Sequence, residues 1–446
     1  MTIARRLSGH HTSHPHLPEP KNVCPRTSSA SAHSAPTILD SRVRESRMKS
    51  LCDAVRTGDS EAIQRILKYS GVDLNDPSNF EGGVPTILLA VSTGHVDVVE
   101  LLLQYNADIS SQNSEGRTAL HIASMNEADN LVDFLLQHNA DPQIADKYGH
   151  TPLWYGACGQ CSDRSFQALL NAHVHIGIDG FRGETDERMP TPLWAAAAGG
   201  YLGRASDLLR QGANVGIRDK NGRTLLHRTE WPISAPLTDI LLKHEADPWA
   251  RDFVDERLPL HQAAEQGRID IAVKLLDMMI EQRPYTRAEA VNVQDRHGLT
   301  PLMCAALNGS LPLVVYLVKL WNADFTLEDV HGNDAFYCAC AKGHNVVATF
   351  LLGLGVNISR GNKEGNTPLH IAATHGQEET VEFLLSLGAN VKARSKTIRS
   401  TWILGGTQEP QGSQQLVTPG KAAQLAGHKM IANLINNLKQ ENQSVN

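Results

Sequence analysis

The apolar positions of this chain fall into a short unit that recurs. In the stretch 366–390, "NTPLHIAATHGQEETVEFLLSLGAN", a turn leads into one apolar run and then a second, and the stretch closes on a glycine turn. Leu369, Ala372 and Ala373 stand at helical spacing, and Pro368 suits the first turn of a helix, where its missing N–H is not needed. The pattern predicts a second helix over 378–387, which carries the adjacent pair Leu384 and Leu385. Gly388 then ends that helix where glycine readily takes a left-handed conformation. A unit this small cannot bury its apolar stripe alone, so it must lean on a neighbour.

The neighbours are further copies. Openings of the same kind stand at Thr118 ("TALHIAS"), Thr151 ("TPLWYGA"), Thr191 ("TPLWAAA"), Thr224 ("TLLHRTE"), Leu258 ("LPLHQAA"), Thr300 ("TPLMCAA") and Asp334 ("DAFYCAC"). Weaker copies begin at Lys49, Pro85 and Thr418. The paired leucines recur downstream, at Leu102 and Leu103, Leu135 and Leu136, Leu208 and Leu209, Leu241 and Leu242, Leu275 and Leu276, and Leu351 and Leu352. The common spacing is about 33 residues, which makes roughly eleven copies from about Met48 to the C-terminus. In motif, period and downstream pattern the chain resembles the ankyrin-repeat family over about nine-tenths of its length. That resemblance implies an all-α fold: a β-turn tip and two antiparallel helices per copy, stacked into a curved solenoid. It also implies a role in binding other proteins, without naming one.

The ends and the irregular spacings refine this picture. The first copy carries Lys49, Asp53 and Arg56, and the last carries Lys421, Gln424, Asn433, Asn436 and Asn437, polar sets suited to terminal copies that meet water on one side. Three spacings are long, which places extra loops at 178–189, 278–291 and 394–417, all at one corner of the solenoid. The last holds Trp402, Ile403 and Leu404, an apolar cluster that can dock back onto the stack. Residues 1–47 are rich in Ser, Pro and His without periodicity and read as a disordered tail. Arg5 and Arg6 faintly suggest a transit peptide, but the prolines and histidines spoil an amphipathic helix there.

Composition excludes several classes. A formal net charge of −7 argues against general nucleic-acid or anionic-membrane binding. No apolar run approaches the roughly 20 residues of a membrane span. Seven cysteines without a secretory signal point to a reducing compartment, hence cytoplasm or nucleus.

Candidate chemistry mostly dissolves into the repeat frame. "CGQC" at 158–161 has redox-type spacing, yet it falls at the end of a first helix and its turn, where a thioredoxin-like motif has no strand to follow. "HVH" at 173–175 aligns with the turn between copies and lacks a third zinc ligand. The tail histidines His10, His11, His14 and His16 have no fixed geometry for a metal. Cys338 and Cys340 take small-residue core positions. Neither a phosphate loop nor a nucleophile elbow is present, so no catalytic residue, cofactor or metal is assigned. The resemblance implies that the motif histidines His121, His227, His261 and His370 hold copies in register.

What remains is surface. The family's turn tips and first helices line a concave face, which implies a partner site at Lys147, Tyr148 and His150, then Lys220, Asn221 and Arg223, then Phe253 and Arg257, then Arg296 and His297. Trp154, Trp194 and Trp231 follow along the helices. Trp154 and Trp194 replace the motif histidine in adjacent copies and should lie about 10 Å apart. Aromatics flanked by Arg and Tyr are the composition of binding hot spots; the same two tryptophans also suit a second role, filling gaps between copies. The Thr224 copy is irregular, with Pro232 and Pro236 interrupting it and Arg228 at a normally apolar position, where it must reach water or an acid. Two functions follow: a non-catalytic protein-binding scaffold or adaptor, and alternatively a protein holding a small apolar molecule in a central aromatic groove.

Overall fold

The computed structural model describes residues 38–70, 72–76, 83–172, 191–229, 234–282, 286–396 and 416–444. Over these the chain runs as consecutive helix pairs. Ala119–Met125 is followed by Asp129–Gln137, Pro152–Ala157 by Asp163–Ala172, Pro301–Asn308 by Leu311–Lys319, and Pro368–Thr374 by Glu378–Ser386. The first helix of most pairs packs between the first helices of its neighbours: Pro152–Ala157 lies against both Ala119–Met125 and Pro192–Gly199. This is a solenoid of helix-turn-helix units, as the periodicity predicts. Among the described residues the only extended pairing is one antiparallel bridge, Ser395 with Val417.

Most first helices start by the same local chemistry. A threonine in extended backbone precedes them at 118, 151, 191, 224, 300 and 367, often with proline directly after. Their small side chains, Ala195 to Ala197, Ala305, Ala306, Ala372 and Ala373, are fully buried, which allows the helices to approach closely. In the second helices the first leucine of each pair is buried, and the other is buried or half-buried. Removing one such side chain costs about 2–5 kcal/mol. Gly388, just past its helix, has φ 83°, a conformation that glycine takes without strain.

Two boundaries differ from expectation. The first helix, Ile38–Thr57, starts ahead of the expected edge at Met48; residues 1–37 lie outside the described residues. The loop expected at 278–291 is largely helical. Ile269–Gln282 runs on through it with Met279 buried, and Trp249 Nε1 donates to the Met279 carbonyl at 3.2 Å. A further helix, Arg287–Val291, is capped reciprocally by Thr286 and Glu289, and buries Ala290 and Val291. The 178–189 insertion, and Trp402 to Leu404 with it, lie outside the described residues. The ends of the 394–417 insertion are pinned together, since Ser395 and Val417 exchange both N–H···O bonds at 2.9 Å.

The Thr224 copy is irregular in the fold also. Its first helix is one 3-10 turn, Leu225–His227. Arg228 reaches an acid, as burial demands: its Nη2 donates to Asp219 Oδ2 at 2.9 Å, and its guanidinium lies 5.3 Å from the Trp194 ring.

Candidate functional site

The candidate site is a row of turn tips. Most tips begin with an Asp or Asn whose Oδ1 accepts two backbone N–H groups, from the residues two and four positions on. Asp146 takes Tyr148 and His150, Asp219 takes Asn221 and Arg223, and Asp295 takes His297 and Leu299. This bonding is local to the turn and favours its conformation.

Successive tips then join by backbone bonds. Lys147 N–H donates to Glu115 O at 2.9 Å, Phe253 to Asn221 at 2.8 Å, Arg296 to Asp255 at 2.8 Å and Val330 to His297 at 2.9 Å. At most tips this close approach is met by a glycine. A Cβ on Gly298, at φ 78°, would stand 2.9 Å from the Val330 nitrogen.

Two side-chain devices fix the register beneath the tips. The first is the motif histidine. His121 Nδ1 accepts the Thr118 N–H, and its Nε2 lies 3.0 Å from the carbonyl oxygen of His150 in the next copy. His227 reaches Arg257 O, His261 reaches Leu299 O and His370 reaches Val417 O in the same way. Burial pushes His121, His227 and His261 down to about 4, so the ring is neutral, with Nε2 as the donor. The second device runs from an arginine of one tip to the aspartate of the next, shown best by Arg257 Nε on Asp295 Oδ2 at 3.1 Å.

The cysteine motif is structural. Arg204, buried, donates from Nη1 to Gly156 O at 2.5 Å, from Nη2 to Cys161 O at 2.8 Å and from Nε to Asp163 Oδ1 at 3.0 Å, which pins the "CGQC" turn. Burial raises both thiols, Cys161 to about 11, the opposite of an activated redox pair. Cys338 and Cys340 are fully buried in the core. Among the described residues no group of three or more His, Cys, Asp or Glu could hold a metal, and no helix is long and apolar enough to cross a membrane. The "HVH" stretch lies outside the described residues.

Comparison with known proteins fixes the family. A profile described as ankyrin repeats (3 copies) matches residues 51–146, 87–179, 233–329 and 320–395, and an ankyrin repeat profile matches 191–220. The chain belongs to the ankyrin-repeat family. The family is in general one of non-catalytic binding scaffolds. Similar proteins include E3 ubiquitin-protein ligase KEG of Arabidopsis thaliana, 23% identical over 296 residues, 64% of this chain and 17% of the relative. Inversin of Mus musculus is 27% identical over 276 residues, 62% of this chain and 22% of the relative. Transient receptor potential cation channel subfamily A member 1 of Homo sapiens is 27% identical over 221 residues, 41% of this chain and 19% of the relative. This ankyrin chain therefore spans only about a fifth of these relatives.

Within the ankyrin frame the expected contact residues separate. Lys147, Tyr148, Lys220, Phe253 and Arg296 stand exposed on the tips; Tyr148 is 43% and Phe253 63% exposed. Asn221, Arg223 and His297 are half-buried, and His297 Nε2 lies 3.1 Å from Asp255 Oδ1. Four expected residues are turned to internal work. Trp154 is 8% and Trp194 1% exposed, so both fill gaps between copies. His150 is buried with its ring stacked on Trp154, centroids 3.7 Å apart. Arg257 is held by Asp295 and by Glu265 Oε2 at 3.0 Å. Trp231 lies outside the described residues. Sequence reasoning missed Val254 on the Phe253 tip and Arg218 and Arg251 beside it. The signal was there: six positions separate Asp252 from its copy's opening at Leu258, against five from Asp146 to Thr151.

Proposed function

We propose that this chain is a non-catalytic scaffold or adaptor that binds another protein along its row of tips, between about Tyr148 and Arg296, in the cytoplasm or nucleus. One observation carries this reading. The tips are locked to one another by backbone bonds, yet their outward side chains at 147, 148, 220, 253 and 296 remain exposed. A rigid platform with exposed aromatic and cationic side chains loses little entropy on binding. The nearby candidates for chemistry serve the fold instead: the motif histidines are neutral and bonded between copies, and the cysteine thiols are raised by burial.

The test is affinity capture from the native cell, with the full chain and with a Tyr148→Ala, Phe253→Ala double variant. Proteins captured by the wild type should be depleted at least tenfold with the variant, at unchanged melting temperature, since losing two anchors costs about 2 kcal/mol or more. Equal recovery by both would refute the tips as the binding face.

A further inference from the structure

The tip that begins at Asp252 is built unlike its neighbours. Asp252 Oδ1 takes the N–H groups of Asp255 and Arg257, three and five positions on, so this tip holds one extra residue. Glu256, at φ 56°, stands where the other tips have glycine. The extra residue brings two adjacent apolar side chains to the outer end, Phe253 at 63% and Val254 at 47% exposure. The Phe253 ring lies against Gly222, where a Cβ would stand 2.4 Å from it. Beyond these contacts at its base the Phe-Val pair faces water, and a role in contact with another molecule accounts for it best.

The charge around this pair is uneven. Each nearby acid has a basic partner: Asp255 has His297 at 3.1 Å, Glu256 has Arg296 at 3.4 Å, Asp219 has Arg228 at 2.9 Å and Asp252 has Arg223 at 3.8 Å. Arg218 and Arg251 are exposed, and their hydrogen bonds go to carbonyl oxygens. Arg218 Nη1 donates to Gly222 O at 2.9 Å and Arg251 O at 2.5 Å, and its guanidinium lies 5.5 Å from the Phe253 ring. Arg251 Nη1 donates to Glu256 O at 2.8 Å and Gln294 O at 3.1 Å. Carbonyl oxygens hold the two guanidinium groups in place without neutralising them. A planar carboxylate is the acceptor that matches a guanidinium fork.

We propose that the Phe253 tip docks a linear peptide segment in which an Asp or Glu side chain lies close to a bulky apolar one. The carboxylate meets Arg218 and Arg251, and the apolar side chain covers Phe253 and Val254. This rests on the tip row being the binding face. A peptide fits better than a nucleic acid, because a continuous phosphate backbone would also run past Asp255 and Glu256.

The probe is a random peptide library displayed on phage, selected against the full-length protein and followed by anisotropy on the synthetic winners. Selected peptides should be enriched in Asp or Glu near Leu, Ile or Phe. Their Kd should rise at least tenfold with Phe253→Ala and with Arg218→Ala, Arg251→Ala, at unchanged melting temperature. Charge reversal, Arg218→Glu with Arg251→Glu, should favour synthetic copies in which Lys replaces the acid. Neutral or basic winners that still depend on Phe253 would overturn the proposed chemistry while leaving the binding face in place. Winners indifferent to Tyr148→Ala, Phe253→Ala and both arginine variants would overturn the proposal and the face together. Recovery of no peptide, or tenfold tighter binding of a single-stranded oligonucleotide than of any winner, would also overturn the proposal.

Discussion

Acidification from pH 7 to pH 5 should loosen the array through its motif histidines. His121, His227 and His261 are buried and fall to about 4 in the folded chain, against about 6.5 when unfolded. The folded pKa is below the unfolded one, so between these values the unfolded chain binds more protons. Stability from these groups is therefore fully present above about pH 6.5 and is lost as pH falls toward 4. At pH 5 the loss is about 2 kcal/mol per histidine, or about 6 kcal/mol for the three if the array unfolds as one unit. His370 and His375 are lowered by burial too and add in the same direction. The carboxylates Asp129 and Asp270 are held low by hydrogen bonds to Ser162 and Arg268 respectively, so their contribution fails only at lower pH. Urea unfolding by circular dichroism at half-unit steps from pH 7 to 5 reads the effect as a falling midpoint. A triple variant, His121→Asn, His227→Asn and His261→Asn, should be less stable at pH 7 but show a shallower slope. A wild-type midpoint that stays flat over this window, or an undiminished slope in the triple variant, would refute the reasoning.

Other substitutions test other parts of the account. Ala372→Asp puts an unpaired carboxylate into a fully buried site and should cost several kcal/mol, on the order of 3–5, seen as a large loss of melting temperature. Trp194→Ala should destabilise by about 3–5 kcal/mol in urea unfolding, because the side chain fills a gap between copies. Arg204→Ala strips the turn at 158–161 of its donors and should cost about 3 kcal/mol, with faster reaction of Cys158 and Cys161 toward a thiol reagent as the readout.

Much of the fold was legible because one signal is repeated many times. A threonine, a proline, small residues and a leucine pair each bias local structure weakly, and recurrence makes the bias unmistakable. The 278–291 stretch departs from expectation for a specific reason. It exceeds the period and so reads as a loop, although Thr286 and Glu289 spell a capping box and Met279 extends the apolar face. The tips were located correctly from the same frame, including the exposed Tyr148 and Phe253. Which way a side chain faces was harder to read. Arg257 is expected at the partner site, but its internal partner, Asp295, lies 38 residues away and meets it only through the register between copies. Trp154 and Trp194 suit a hot spot and a filler equally in composition, and only the packing of the next copy decides between them.

The central claim is that the tips form the contact surface, and amide hydrogen exchange on a complex with a captured protein tests it most directly. Binding should add protection at 147–150, 220–223, 253–257 and 296–298, and leave the second helices such as Asp129–Gln137 and Leu311–Lys319 unchanged. New protection confined to those second helices, with none at the tips, would contradict the account.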